Sequence, residues 1–170
     1  MPLTLRWFSY RFAEQVINSR LYLKQEIQEV LTDPGIDPLS LSRPVFNREL
    51  EKRFVEKGWA TQPMVFGEPG EPLAKMDFLK DRVGIEVEFG HASFIGIDLL
   101  KFQCSSYSEL NKIDMGVYIV TTRAFQTRMR NQEQKQNWEG SLSFEKVQRY
   151  LPWFKSAIQV PICVVGIDVV

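Results

Sequence analysis

Three carboxylates lie close enough along the chain to act together: Asp77, Glu86 and Glu88. The run Ile85-Glu86-Val87-Glu88-Phe89 alternates apolar and acidic residues with the period of a β-strand. Successive strand side chains point to opposite faces, so Glu86 and Glu88 share one face and Ile85, Val87 and Phe89 the other. Asp77 precedes Glu86 by nine residues, and a hairpin turning near Lys80-Asp81-Arg82 returns it beside Glu86. Carboxylates converging from two adjacent strands suit a hard divalent cation such as Mg²⁺, with the backbone carbonyl of Val87 as a further ligand. Such a cation polarises a phosphodiester and activates water for hydrolysis. The same alternation also describes a half-buried strand with a solvated acidic face. Against that reading, two like charges one residue apart repel and contribute nothing to a purely structural strand.

Scarce residue types remove most other chemistries. His91 is the only histidine, and Cys104 and Cys163 are the only cysteines. Two cysteines make no disulfide framework, and a reducing cytoplasm is the expected compartment. No C-x-x-C or H-x-x-x-H spacing supports zinc. A Ser-His-Asp or Cys-His mechanism would have to run through His91 alone. The 170 residues are 44% hydrophobic and 25% charged, as expected of a single domain over 1–170. No stretch approaches the roughly 18 apolar residues of a membrane span, and Met1-Pro2-Leu3-Thr4-Leu5-Arg6 lacks a signal-peptide profile. No membrane partner is therefore expected.

Lysine plus arginine and aspartate plus glutamate each total 21, so the formal net charge is zero. That balance argues at first against a polyanionic partner. Setting aside the three candidate carboxylates leaves 21 basic against 18 acidic side chains, and Arg123 to Arg130 holds three arginines and no acid. Affinity for a polyanion follows the local footprint rather than the whole-chain sum.

The elements that must hold these groups can be read from periodicity. A helix is predicted over 12–31, stopped by Asp33-Pro34-Gly35, and a second over 46–59 with Phe46, Leu50, Phe54 and Val55 on its apolar face. Met64-Val65-Phe66 could form a short strand before a turn over 67–72. Strand, turn and strand follow over 76–89, a helix over 93–111, and a strand buried on both faces over 113–121. A polar, arginine-bearing stretch over 122–140 leads to a helix over 143–158, with Ser143 as N-cap, and to a closing strand over 160–170. The order predicts an α/β domain with a mixed central β-sheet flanked by helices. Its helical N-terminal part is expected at about 1–60 and its sheet core at about 61–170. Cys104 is read as a buried thiol, and Trp153 and Phe154 as packing residues.

Asp77-(x)₈-Glu86-x-Glu88 resembles the PD-(D/E)xK nuclease motif with glutamate in place of its lysine. The block Asp77 to Gly90 is similar to the core segment of type II restriction endonucleases of the BglII, BstYI and BamHI group. So are Ser93-Phe94, Asp98-Leu99, the run Lys112-Ile113-Asp114-Met115-Gly116-Val117, Glu56-Lys57-Gly58-Trp59 and Val160 to Ile167. The resemblance covers most of the chain and is densest over 75–120. It implies a restriction-endonuclease-like fold and a homodimeric, Mg²⁺-dependent enzyme cutting palindromic double-stranded DNA, with relatives reading GATC-centred sites. Carried over by position, Asp77 and Glu86 would be metal ligands, and Glu88 the general base or water-orienting residue. The sequence departs from that group in a shorter stretch between Trp59 and Asp77, and in His91-Ala92-Ser93 after Gly90. A fourth polar residue from an upstream helix has Asn47 and Glu49 as candidates.

On this resemblance the DNA-contacting residues are expected among His91, Ser93, Lys101, Arg123, Gln126, Arg128 and Arg130, with Gln132 nearby. Arg and Gln pair bidentately with guanine and adenine in the major groove. In relatives the helix after the catalytic strand lies near the dimer interface, so Phe94, Ile97 and Leu100 are core or interface. Two other readings of the scaffold stay open: a DNA-binding protein that does not cleave, and a structure-specific repair nuclease.

Overall fold

Leu3, Leu5 and Trp7 pack into one apolar cluster, while Phe8 and Tyr10 belong to another. The first element is accordingly a strand, β1 (Leu3–Tyr10), where no strand was expected. The computed structural model describes residues 3–67, 75–107, 111–130, 138 and 140–169. After β1 come α1 (Ala13–Asn18), α2 (Leu21–Leu31), α3 (Arg43–Glu56), β2 (Ala60–Thr61), β3 (Phe78–Lys80) and β4 (Val83–Val87). The second half holds α4 (Ile95–Ser106), β5 (Met115–Thr121), α5 (Arg123–Arg130), α6 (Phe144–Tyr150) and β6 (Ile162–Val169).

The strands form one sheet in the order β1-β6-β5-β4-β3-β2. β5 pairs in parallel with both β4 and β6, and the remaining pairs are antiparallel. This is the mixed sheet flanked by helices that the pattern predicts. On one face Ile85, Val117, Ile119 and Val165 pack under α1, α2, α3 and α5. On the other, Tyr118, Val120 and Val164 pack under α4 and α6. Because β1 runs the length of β6, the N-terminal part is not only helical: it completes the edge of the sheet.

Local rules explain several boundaries. Ser143 caps α6, its hydroxyl accepting from the Lys146 amide, and Pro152 follows in a 3₁₀ turn, so this helix is shorter than expected. Gly58, with φ of 81°, sits just past α3. The single helix expected over 12–31 breaks at Ser19-Arg20. There the Arg20 guanidinium pairs with Asp114, which Arg82 also holds, a tertiary anchor that periodicity does not reveal. The polar stretch after β5 is helical rather than irregular: Phe125 and Met129, four residues apart, bury one face of α5, and the Thr122 hydroxyl accepts from the Phe125 amide.

Other expectations are corrected by burial. Cys104 is exposed on α4. Trp153 is 79% exposed and Phe154 40%, so neither is a core residue. Val55 is also exposed, and Met64 forms an isolated bridge with Lys75 rather than a strand. The turn beyond Gly67 and Gln132 lie outside the described residues, and the helix expected over 93–111 ends earlier, at Ser106, where Tyr107 turns extended. Among the described residues no helix is long and apolar enough to cross a membrane.

Gly116 on β5 lets α4 approach the sheet. A Cβ there would lie 2.6 Å from the ring of Phe102, which is fully buried. Gly116→Ala should therefore destabilise the fold by roughly 1–3 kcal/mol through overpacking. The expected readout is a lower urea midpoint with an unchanged slope. An unchanged midpoint would mean that α4 can shift away without penalty.

Candidate active site

The β3–β4 hairpin brings the first two carboxylates together. Its register pairs Phe78 with Ile85 and Lys80 with Val83, leaving Asp81-Arg82 as a two-residue turn. Both turn residues have positive φ, 45° and 67°, the conformation that matches the twist of paired strands. Asp77, just before β3, thereby lies beside the end of β4: its Oδ2 accepts from the Val87 amide at 2.8 Å. Its Oδ1 accepts from the Gln62 side chain at 3.0 Å. Burial raises the Asp77 carboxyl above its ordinary value, partly offset by the Val87 amide, Lys101 and Gln62.

Glu86 is 3% exposed, so its face of β4 is not a solvated acidic face. Its Oε2 accepts from Lys101 Nζ at 2.7 Å. Its Oε1 is buried and has no hydrogen-bond partner among the described residues. Burial, reinforced by the negative charge of Asp77, pushes the Glu86 carboxyl up to about 9 against the opposing pull of Lys101. A buried, unpartnered carboxylate oxygen beside a second carboxylate is costly unless something cationic answers it.

Lys101, expected on a DNA-facing surface, is buried instead. Besides Glu86 it lies 3.3 Å from Asp98 Oδ1 and 3.4 Å from the Lys75 carbonyl. Asp98 is held in turn by the Tyr118 hydroxyl at 2.9 Å. The phase of α4 is the reverse of what hydrophobicity suggests. It buries Asp98 and Lys101 alongside Leu99 and Phe102, and exposes Phe94, Ile97 and Leu100. The available signal was the Asp98-x-x-Lys101 spacing, which puts opposite charges on one helical face.

Glu88 lies alongside this pair rather than closing a cage with it. Its Oε1 accepts from the Gly90 amide, and burial raises its carboxyl. The Arg43 guanidinium donates to the neighbouring Phe89 carbonyl at 3.0 Å. Among the described residues no three His, Cys, Asp or Glu side chains gather as a ready metal cage. Mg²⁺ is usually bound through one or two carboxylates, with waters and substrate oxygens completing its shell, so the Asp77–Glu86 pair fits it.

Two adjoining clefts open beside the carboxylates, one at Asp77 and the other at Glu88, with Glu86 buried behind them. One is lined by Asn47, Glu51, Gln62, Asp77 and Val87, the other by Ser42, Arg43, Asn47, Val87 and Glu88. Asn47 and Val87 line both. Of the two upstream candidates, α3 therefore brings Asn47 to the site. Glu49 is engaged by Arg53 at 2.6 Å, and α3 presents Glu51 to the cleft instead. Gln62 and Glu51 were not foreseen, because their proximity depends on how β2 and α3 pack against β3.

The residues expected to contact DNA divide in two. His91 and Ser93 are exposed at the start of α4, the His91 ring accepting from the Ser93 amide at 3.2 Å. Arg123 and Arg130 line a third cleft with Thr127, Ser141 and Lys146, and Arg128 is exposed on the same helix. Gln126 is 8% exposed, and its amide donates to Thr121 Oγ1 and the Leu142 carbonyl. That makes Gln126 a structural brace between α5 and the segment before α6, not a base reader.

Compared with known protein families, residues 5–167 match the family described as restriction endonuclease BglII/BglIII. No curated protein matches the chain. Among solved structures, BglII complexed with a DNA 16-mer superposes with a TM-score of 0.70 at 19% identity, over 98% of this chain and 77% of that one. Free BglII superposes with a TM-score of 0.63 at 19% identity, over 96% and 78%.

Proposed function

Because the chain belongs to the BglII/BglIII family of restriction endonucleases, and is thus a type II, site-specific DNA nuclease, we propose that Asp77 and Glu86 form its Mg²⁺-binding catalytic centre. The observation that carries this reading is the buried, unpartnered Oε1 of Glu86 beside Asp77. A hard dication is the group that answers such an oxygen, with the Val87 carbonyl as a further ligand. Restriction endonucleases are in general divalent-metal dependent, and the bound ion supplies Lewis-acid polarisation of the scissile phosphodiester and charge compensation for the leaving oxygen.

The remaining steps fall to the chain's own side chains. Gln62 and the Val87 amide orient Asp77, and Lys101 orients Glu86. Glu88, at the mouth of the adjoining cleft, is the general base or water-orienting residue for attack on phosphorus. Asn47, shared by both clefts, is the fourth polar residue of the site. Cleavage would leave a 5′ phosphate. His91, Ser93, Arg123, Arg128 and Arg130 are the candidate DNA contacts, and the site read is a palindrome, GATC-centred if it follows the group it resembles. Residues 1–170 act as one endonuclease domain. Two copies, related by a two-fold axis and packed through the exposed apolar face of α4, match the two-fold symmetry of a palindromic duplex.

Digestion of a genome-sized DNA of known sequence with Mg²⁺, followed by end sequencing, tests the reading. The expected result is a set of discrete fragments with 5′ phosphates and one palindromic sequence at every end. A smear, or nicking confined to branched DNA, would instead favour a structure-specific nuclease. No cutting with any divalent ion would leave a DNA-binding protein that does not cleave.

A further inference from the structure

The two oxygens of Glu86 are not equivalent. Oε2 is engaged by Lys101 Nζ at 2.7 Å, and Oε1 is the buried atom with no partner among the described residues. Lys101 is only 9% exposed. It is held against movement by Asp98 Oδ1 at 3.3 Å and the Lys75 carbonyl at 3.4 Å. Asp98 is itself fixed by the hydroxyl of Tyr118, a fully buried residue directly opposite Glu86 in the β4–β5 register. The ammonium is therefore locked to one side of one carboxylate.

That arrangement limits how a cation can use Glu86. Coordination through both oxygens would put a dication and an immobilised ammonium on the same atom, Oε2, where their charges repel. Coordination through Oε1 alone keeps them a carboxylate width apart. Ca²⁺ takes six to eight oxygens, often with a bidentate carboxylate, whereas Mg²⁺ takes an octahedral shell of single oxygens. Building on the assignment of Asp77 and Glu86 as metal ligands, we propose that Lys101 is a positioning residue that restricts Glu86 to one-oxygen coordination and so selects Mg²⁺ over Ca²⁺.

The test is the ratio of Mg²⁺ to Ca²⁺ affinities, measured by calorimetry on the full chain. Both ions carry the same charge, so the loss of a neighbouring positive charge largely cancels from the ratio. A residue that merely stabilises the fold would not move it. Lys101→Met should shift the ratio towards Ca²⁺ by about tenfold or more, the usual scale for partners that orient metal ligands. Lys101→Arg, which keeps a cationic donor, should restore much of the wild-type ratio. Asp98→Asn, which loosens the lysine without removing it, should shift the ratio in the same direction by less, and it decides the matter if Lys101→Met does not fold. An unchanged ratio in folded Lys101→Met or Asp98→Asn, with wild type binding both ions, would overturn the role of Lys101. If wild type binds neither ion, or Glu86→Gln binds both as tightly as wild type, the ligand assignment fails and this proposal fails with it.

Discussion

Glu86→Gln should leave a folded protein that still binds duplex DNA but cleaves it about a thousandfold more slowly or worse. The substitution keeps the shape of the side chain and removes the charge that pairs with Lys101 at 2.7 Å. It also removes the carboxyl Oε1 that is the best candidate metal ligand. Lewis-acid stabilisation of a phosphoryl transition state is worth several kcal/mol, and each 1.36 kcal/mol is a factor of about ten in rate. Loss of an ion held by only two carboxylates therefore predicts at least about three orders of magnitude. Single-turnover cleavage with excess enzyme measures this directly, alongside a gel-shift assay for binding. Cleavage within tenfold of wild type would show that Glu86 holds no essential ion, whatever its burial.

With two copies packed through α4 as proposed, Leu100→Glu should give a monomer that at most nicks one strand. Leu100 is 52% exposed at the middle of α4, flanked on the same surface by Phe94, Ile97, Cys104 and Tyr107. A helix that buries Asp98 and Lys101 while it exposes Ile97 and Leu100, with Phe94 and Tyr107 exposed at its two ends, has its apolar stripe turned away from its own core. In a two-fold interface the same residue enters twice, so the substitution buries two carboxylates that face each other. At about 2 kcal/mol for each central interface residue, the dimer should weaken by roughly a thousandfold. Sedimentation equilibrium reads the association, and the conversion of supercoiled plasmid to open-circle rather than linear product reads its consequence. A wild-type monomer, or an unaltered dimer in the variant, would remove α4 as the interface.

The same helix shows why part of the site was readable in advance and part was not. Asp77 and Glu86 were predictable neighbours because a strand repeats every two residues and a two-residue turn sets its own register. The expected pair depends on about ten consecutive residues and on nothing else in the molecule. On the resemblance, Lys101 and Gln126 belong to a DNA-facing surface, because each is polar and lies near the expected contact segments. Both are buried, with hydrogen bonds to groups far away in the sequence or on other elements. Helical periodicity alone leaves open which stripe of α4 meets the sheet, since Phe94, Ile97 and Leu100 form as good an apolar stripe as Leu99 and Phe102. The choice between Asn47 and Glu49 likewise turned on the rotation of α3, where Arg53 draws Glu49 away. The missed strand β1 carried its own alternating signal in Leu3, Leu5 and Trp7.

By itself the sequence determined the α/β layering, the hairpin, the acidic pair at its end and, through a resemblance spread over most of the chain, the nuclease family. These follow from local periodicity and turn geometry, or from residues preserved as a block. Only the tertiary structure decided which charges are buried and what meets them. It turned Glu86 inward, left one of its oxygens unanswered, and delivered Lys101 to the other from the helix that covers that face of the sheet. The physical reason is that burying a charge depends on every element that covers it, and no local window of sequence contains them all.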